Sequence, residues 1–190
     1  MSYKYGEEVL YKIRLLKFSD KKNIQDFSCG NECIDNYVKN EIFSDSELNT
    51  EDGLHFIVYI KKTKKIIGFF SLAASGIIHK VDNYVKILPA IKIDIFAIDV
   101  NFQKMHFDKD SKAESNPDNH FYFSDKIMGE VIKRCQSISE KHLKARFIVL
   151  YADKKALRFY KRNKFANLEK FMEPEKNQEV KNLTPMYMEL

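Results

Sequence analysis

Two carboxylates on one short stretch, Asp94 and Asp99 in PAIKIDIFAIDVNFQ (89–103), and three thiols, Cys29, Cys33 and Cys135, are the side chains here that lend themselves most directly to acid–base or nucleophilic chemistry. Either aspartate could take a proton from a substrate ammonium, directly or through water. The plainer reading of each is a structural carboxylate at a strand end or in a cofactor loop. Covalent catalysis through Cys29 or Cys135 would need an activating imidazole, and the five histidines are scattered without a motif. His55 and His79 fall at strand or strand-end positions, where core and surface histidines are common. Three cysteines without close CxxC spacing fit a reducing compartment better than a disulfide framework or a metal site.

The elements that must position these groups show in the periodicity. Ile91, Ile93 and Ile95 alternate with Lys92, Asp94 and Phe96, which predicts a strand from Pro89 lying inside a sheet. In FYFSDKIMGEVIKRCQSISEKHL (121–143), Phe123, Ile127, Val131 and Ile138, widened by Met128, Ile132 and Cys135, recur at helical spacing. Where a strand ends and a helix begins, unpaired N–H groups and the positive end of the helix dipole converge, which is a place to hold a phosphate.

Before this pair, YKIRLLK (11–17) predicts an opening strand, and Ile34, Tyr37, Val38 and Ile42 predict a helix after a turn at 26–30. The polar run 44–53 reads as a loop. Residues 54–60 and 65–78 read as an antiparallel hairpin around the solvated lysine turn at 61–65, and 79–88 as a mixed linker. Farther on, ARFIVLYA (145–152) is an apolar strand expected to run parallel to the central one. Asp153 can cap a helix over KKALRFYKRNKF, and 165–172 and 185–190 are two more strand candidates separated by a charged loop.

A chain of 190 residues is expected to form one domain, burying roughly 70% of its unfolded surface. Its 44% apolar and 31% charged content is that of a globular protein and not of a disordered one. The net charge of +5, spread over many lysines, fits a solvated surface or an anionic cofactor or nucleic acid. No apolar signal core opens the sequence, and the longest nearly apolar run, 68–78, is too short to span a bilayer. A soluble cytoplasmic protein with no membrane partner is the expectation.

The order strand, helix, hairpin, central strand, helix, strand, helix, strand pair resembles the GNAT superfamily of N-acetyltransferases over nearly the whole chain. The expected fold is therefore α/β: a GNAT fold with a mixed central sheet of about six or seven strands flanked by helices, in one domain over 1–190. In PAIKIDIFAIDVNFQ, Phe96, Ala97, Ile98, Asp99 and Gln103 match the family's hydrophobic-Ala-Val-Asp run before a Gln or Arg. The resemblance implies that this strand's backbone pairs with the pantetheine arm of acetyl-CoA, as an added strand would. In YADKKALRFYKRNKF, Asp153, Ala156, Phe159 and Tyr160 occupy the places of the second cofactor motif, with Lys164 where a Gly is usual. Tyr160 thereby inherits the role of general acid toward the leaving thiolate. A phenol with pKa near 10 suits it, being protonated at neutral pH; packing of the helix on the sheet is the plainer use of the same pair.

DFSCGNECIDNYV (26–38) resembles the opening of a narrower branch that includes toxins acetylating the amino group of aminoacyl-tRNA. The departure lies after Gln103. Family members turn there through Gly-x-Gly/Ala around the pyrophosphate, whereas this chain inserts a polar stretch at about 104–121 and has no glycine between Gly76 and Gly129. Tyr122 and Ser124 fall at the two glycine positions, and Lys104 or His106 would supply charge. The implied activity is acetyl-CoA-dependent N-acetyl transfer to a primary amine by direct transfer, with Tyr160 as acid, no metal, and Phe96, Ala97, Ile98, Gln103, Lys104, Ser124, Asp153, Ala156 and Phe159 toward the cofactor. Aminoacyl-tRNA is the first specific acceptor, and a homodimer is compatible with the reading. The alternative is a non-catalytic GNAT-fold binding or regulatory module with a degraded pyrophosphate loop.

Overall fold

Alternating apolar residues in the first third of the chain pair into strands around one cluster of buried side chains. The computed structural model describes residues 3–43, 47–50, 53–81, 84–116, 119–169 and 182–190, with the backbone alone at 79–81. The chain divides into two compact units, Met1–Leu72 with Ile95–Ile127 and Ala73–Asp94 with Met128–Leu190.

In the first unit, β1 (Tyr11–Leu15) pairs antiparallel with β2 (Leu54–Ile60), Tyr11 opposite Ile60 and Leu15 opposite Phe56. β2 pairs antiparallel with β3 (Ile66–Val81), as the hairpin reading expects, with a register shift at Val58/Tyr59. The helix α1 (Glu32–Asn36) starts where the Asn31 side chain accepts the N–H groups of Cys33 and Ile34, and it continues through Glu41 in a wider turn. That extension buries Val38 and Ile42 against Leu16, Ile24, Phe27, Ile57, Phe69 and Ala97. Each such side chain contributes roughly 1.5–3 kcal/mol of apolar burial. β4 (Tyr84–Ile98) is followed by the helical turn α2 (Val100–Gln103), the short α3 (Lys109–Ala113) and α4 (Phe123–Ile138). β3, β4 and α4 each supply residues to both units.

In the second unit, β5 (Phe147–Ala152) lies parallel to β4, with Ala90, Ile91 and Lys92 opposite Phe147, Ile148 and Val149. Pro89, which has no N–H to give, is tolerated inside β4; its carbonyl accepts the N–H of Arg146 at 2.8 Å. The helix α5 (Leu157–Arg162) is entered through a tight turn at Lys154–Ala156. β6 (Ala166–Asn167) pairs with β7 (Thr184–Glu189), which pairs antiparallel with β5. The result is a mixed α/β fold whose seven strands are hydrogen-bonded in the order β1-β2-β3-β4-β5-β7-β6.

Three readings of the sequence need correction. Residues 79–88 are not a linker, because β3 runs to Val81 and β4 starts at Tyr84. The pattern misleads because this end of the β3–β4 pair buries little: Ile78, Tyr84, Val85 and Ile87 are 62–79% exposed. The strand candidate at 165–172 shrinks to Ala166–Asn167, beyond which Glu169 N–H turns back to its neighbour's Asn167 Oδ1; residues 170–181 lie outside the described residues. The helix expected from about Phe121 starts at Phe123, since Phe121 is tied to Ser111 and Phe107 instead. No helix among the described residues is long and apolar enough to cross a membrane.

Candidate functional site

The end of β4 is a hydrogen-bonded knot. Asp99 is 2% exposed, and its Oδ1 accepts the backbone N–H of Asn101 at 3.0 Å and Asn101 Nδ2 at 2.8 Å, capping α2. Lys65 Nζ stands 3.5 Å from its other oxygen. Asp99 is thus engaged as a cap and ion-pair partner. Asp94, on the strand surface, pairs with Lys92. Ala97 and Ile98 are buried and Phe96 is half-buried, while the N–H of Ile95 donates to Ser71 Oγ at 3.1 Å. Gln103 Nε2 donates to Ile98 O at 2.9 Å and, 74 positions back, to Cys29 O at 2.8 Å.

That second bond brings the front motif to the strand end. Val100 N–H donates to Ser28 O at 2.9 Å. Asp35 holds the same loop from behind, accepting Ser28 Oγ at 2.6 Å and Cys29 N–H at 2.8 Å. Burial alone would raise the Asp35 pKa, but these donors overcome it and hold the carboxyl below its ordinary value. Burial pushes the Cys29 thiol up to about 11 and Cys135 up to about 12, so neither supplies thiolate at neutral pH. The Asp35 latch was missed from sequence; its seven-residue spacing to Ser28 carries no local signature.

At the start of α4, two of the backbone donors that a phosphate could use have partners. Tyr122 N–H donates to Asp125 Oδ2 at 2.9 Å, and Phe123 N–H to Met105 O at 2.8 Å. Ser124 is buried, and its hydroxyl donates to Gln103 O at 3.2 Å. Asp125 is a carboxylate 3% exposed at the positive end of the helix, where it competes with any anion. It sits where the acid of a capping box would, but Tyr122 is not a capping residue type, so the sequence carries no such signature.

The insert is closed at its base by a bridge between His106 and Tyr122, by Phe107 N–H on Phe121 O, and by Ser111, which both donates to and accepts from Phe121. Lys104, at its root, is exposed. The N-terminal segment adds Gly6 and Glu7 N–H bonds to the carbonyls of His106 and Phe107. The Tyr122 and Phe123 N–H groups are therefore engaged, and an anion at this helix start would compete with Asp125 for the Tyr122 N–H.

The second unit gathers the other motif. Asp153 Oδ1 accepts Lys155 N–H at 2.8 Å, and its carbonyl accepts Ala156 N–H at 2.9 Å, which opens the turn before α5. Tyr160 is buried edge-on against Phe159 and Phe165, at centroid distances of 5.2 and 5.8 Å. Burial pushes its phenol up to about 12. Lys164, where glycine is usual, has φ 68, so the turn keeps its left-handed conformation with a lysine. The parallel β4–β5 ladder covers three residue pairs, to Lys92 and Val149. β5 runs on to Ala152 along β7, and β4 runs on to Ile98.

No family model matches the chain, and no curated protein does. Among solved structures, it is similar to a bacterial toxin (14% identity, 95% of this chain and 91% of that one, TM-score 0.66). It is similar to AtaT complexed with acetyl-methionyl-tRNAfMet (16%, 94% of each chain, 0.62) and to AtaTR bound with AcCoA (15%, 94% and 92%, 0.61). Identities this low establish the fold, which is the GNAT fold of these toxins.

Proposed function

We propose that this chain is an acetyl-CoA-dependent N-acetyltransferase that moves the acetyl group directly to a primary amine, with aminoacyl-tRNA as the acceptor. The observation that carries the proposal is the fold, shared over nearly the whole chain with structures holding AcCoA and acetyl-methionyl-tRNAfMet. In this reading the strand from Ile93 to Ile98 presents backbone to the pantetheine arm as an edge strand does to a peptide. The residues along β4 fit that arm. Those at the α4 start fit the pyrophosphate less well, so Lys104 would provide charge in place of a glycine clasp, with Asp153, Ala156 and Phe159 shaping α5 toward the cofactor.

Acetyl-CoA, when bound, supplies an activated acyl group and a sulfur leaving group. The chain's own share is to align the amine, polarise the carbonyl with strand N–H groups, and hold a proton near the sulfur. The C–N bond forms as the C–S bond breaks; the amine loses one proton and the sulfur gains one. Tyr160, protonated at any physiological pH, would give a hydrogen bond and then the proton to the developing thiolate; burial weakens it as an acid, so the bound state must bring the phenol back toward its ordinary pKa near 10. An aminoacyl ester carries an amine of lowered pKa, so little base assistance is needed, in keeping with the engagement of Asp94 and Asp99 elsewhere. Both substrates belong to the cytoplasm, and the reading puts the protein there.

Calorimetry with acetyl-CoA and transfer of labelled acetyl to a pool of aminoacylated tRNA test the proposal. Binding and transfer are expected, with Tyr160→Phe lowering kcat by about 10²-fold, the scale of a lost general acid. Full activity of Tyr160→Phe would remove Tyr160 from the mechanism. The second reading, a non-catalytic module, is favoured by Asp125 and Met105 occupying the α4 donors; no acetyl-CoA binding at millimolar ligand would select it.

A further inference from the structure

The loop at 28–30 and the end of β4 are built as one joint. The Gln103 amide nitrogen carries two hydrogens, and both are spent, one on Cys29 O and one on Ile98 O. Two carbonyls around one nitrogen also fix the orientation of the side chain, since the flipped amide would set oxygen against oxygen. The backbone N–H of Gln103 goes to Asp99 O at 3.2 Å. The residue therefore has no donor left for a phosphate oxygen, which can only accept.

Other contacts close the same joint. Val100 N–H holds Ser28 O, and Asp35 holds Ser28 Oγ and Cys29 N–H. Gly30 has φ +79, and a Cβ there would stand 3.2 Å from Val100 Cγ1, so the loop passes close over α2 in a conformation that suits glycine. From this geometry we infer that Gln103 is a positioning residue. It fixes the Ser28–Gly30 loop to the carbonyl end of β4, so that this loop forms a rigid wall beside the strand that would carry the thioester. The role rests on the acetyltransferase reading, and it differs from a cofactor contact: the side chain acts through the loop and not on a phosphate oxygen.

Gln103→Met keeps the length of the side chain and removes both donors. Amide hydrogen exchange of the chain without ligand is expected to quicken at Val100 by about tenfold or more as the joint opens. Acetyl-CoA affinity by calorimetry is expected to stay within about twofold while kcat with aminoacylated tRNA falls by about 10–100-fold, the cost of a small misplacement of a reacting group. Gln103→Arg, whose guanidinium offers donors to both carbonyls, is expected to recover most of the kcat and of the Val100 protection. Gly30→Ala strains the loop from the other side, and is expected to reproduce the faster Val100 exchange if Gln103→Met does not fold.

Unchanged exchange at Val100 in a folded Gln103→Met overturns the joint. A loss of acetyl-CoA affinity of about tenfold with kcat preserved overturns the positioning role and returns Gln103 to the cofactor. Failure of the unaltered chain to bind acetyl-CoA or transfer acetyl overturns the enzyme reading alone, because the exchange measurement decides the joint without it.

Discussion

A phenol packed against two phenyl rings keeps its proton long past neutrality, and that makes Tyr160 visible in titration, apart from the role proposed for it. Its folded pKa is raised to about 12 by burial, against about 10 in an unfolded chain. The folded state thus binds the proton more tightly, and the stability linked to this group is complete below pH 10 and lost as pH rises through about 12. Tyr160→Phe is expected to leave the urea midpoint at pH 7 nearly unchanged and to flatten its decline on the alkaline side. The half-buried Cys29 and the buried Cys135 show the same upward shift. A perturbed pKa therefore does not by itself single out Tyr160; the proposed role rests on the motif that also holds Phe159 and Asp153. Those neighbours were readable in the sequence, through resemblance to a known motif; the Gln103–Cys29 bond, between residues 74 positions apart, was not.

At the scale of elements, the start of α4 is where stability and the proposed cofactor binding would pull against each other. The Asp125 carboxylate caps Tyr122 N–H and sits at the positive end of a sixteen-residue helix. Asp125→Ala is expected to cost about 1 kcal/mol of stability, the usual worth of a lost cap, measured as a lower urea midpoint. The same variant is expected to bind acetyl-CoA more tightly in calorimetry, because the resident negative charge is gone.

Elements with a buried face were legible. ARFIVLYA alternates fully buried and half-buried residues as β5, and the β2–β3 hairpin is where its lysine turn puts it. Elements without one were not: the far end of the β3–β4 pair looked like a linker, since Tyr84 and Val85 owe their strand conformation to cross-strand hydrogen bonds and not to a core. The hidden cap and the closure of the insert by Ser111 and Phe121 depend on contacts that hydrophobic periodicity does not encode.

For the molecule as a whole, the charge of +5 gives the proposed acceptor a measurable handle. If aminoacylated tRNA binds through lysines, its affinity is expected to fall steeply with salt, log K dropping by about 0.7–0.9 per phosphate contact for each decade of ionic strength. Filter binding from about 50 to 200 mM salt reads this directly, and a flat response would argue for a small neutral amine instead. Fold class was readable at this scale because strand and helix order survive where local residues diverge, even with no glycine between Gly76 and Gly129. The three-pair ladder between β4 and β5 also bears on how the chain reaches its native state. It joins segments far apart in sequence, so closing it loses much chain entropy for few hydrogen bonds, whereas the β2–β3 hairpin closes over a short turn. The hairpin is placed to nucleate, and the junction from Ala90 to Lys92 to form late, so that a newly synthesised chain completes its sheet only after most of its secondary structure exists.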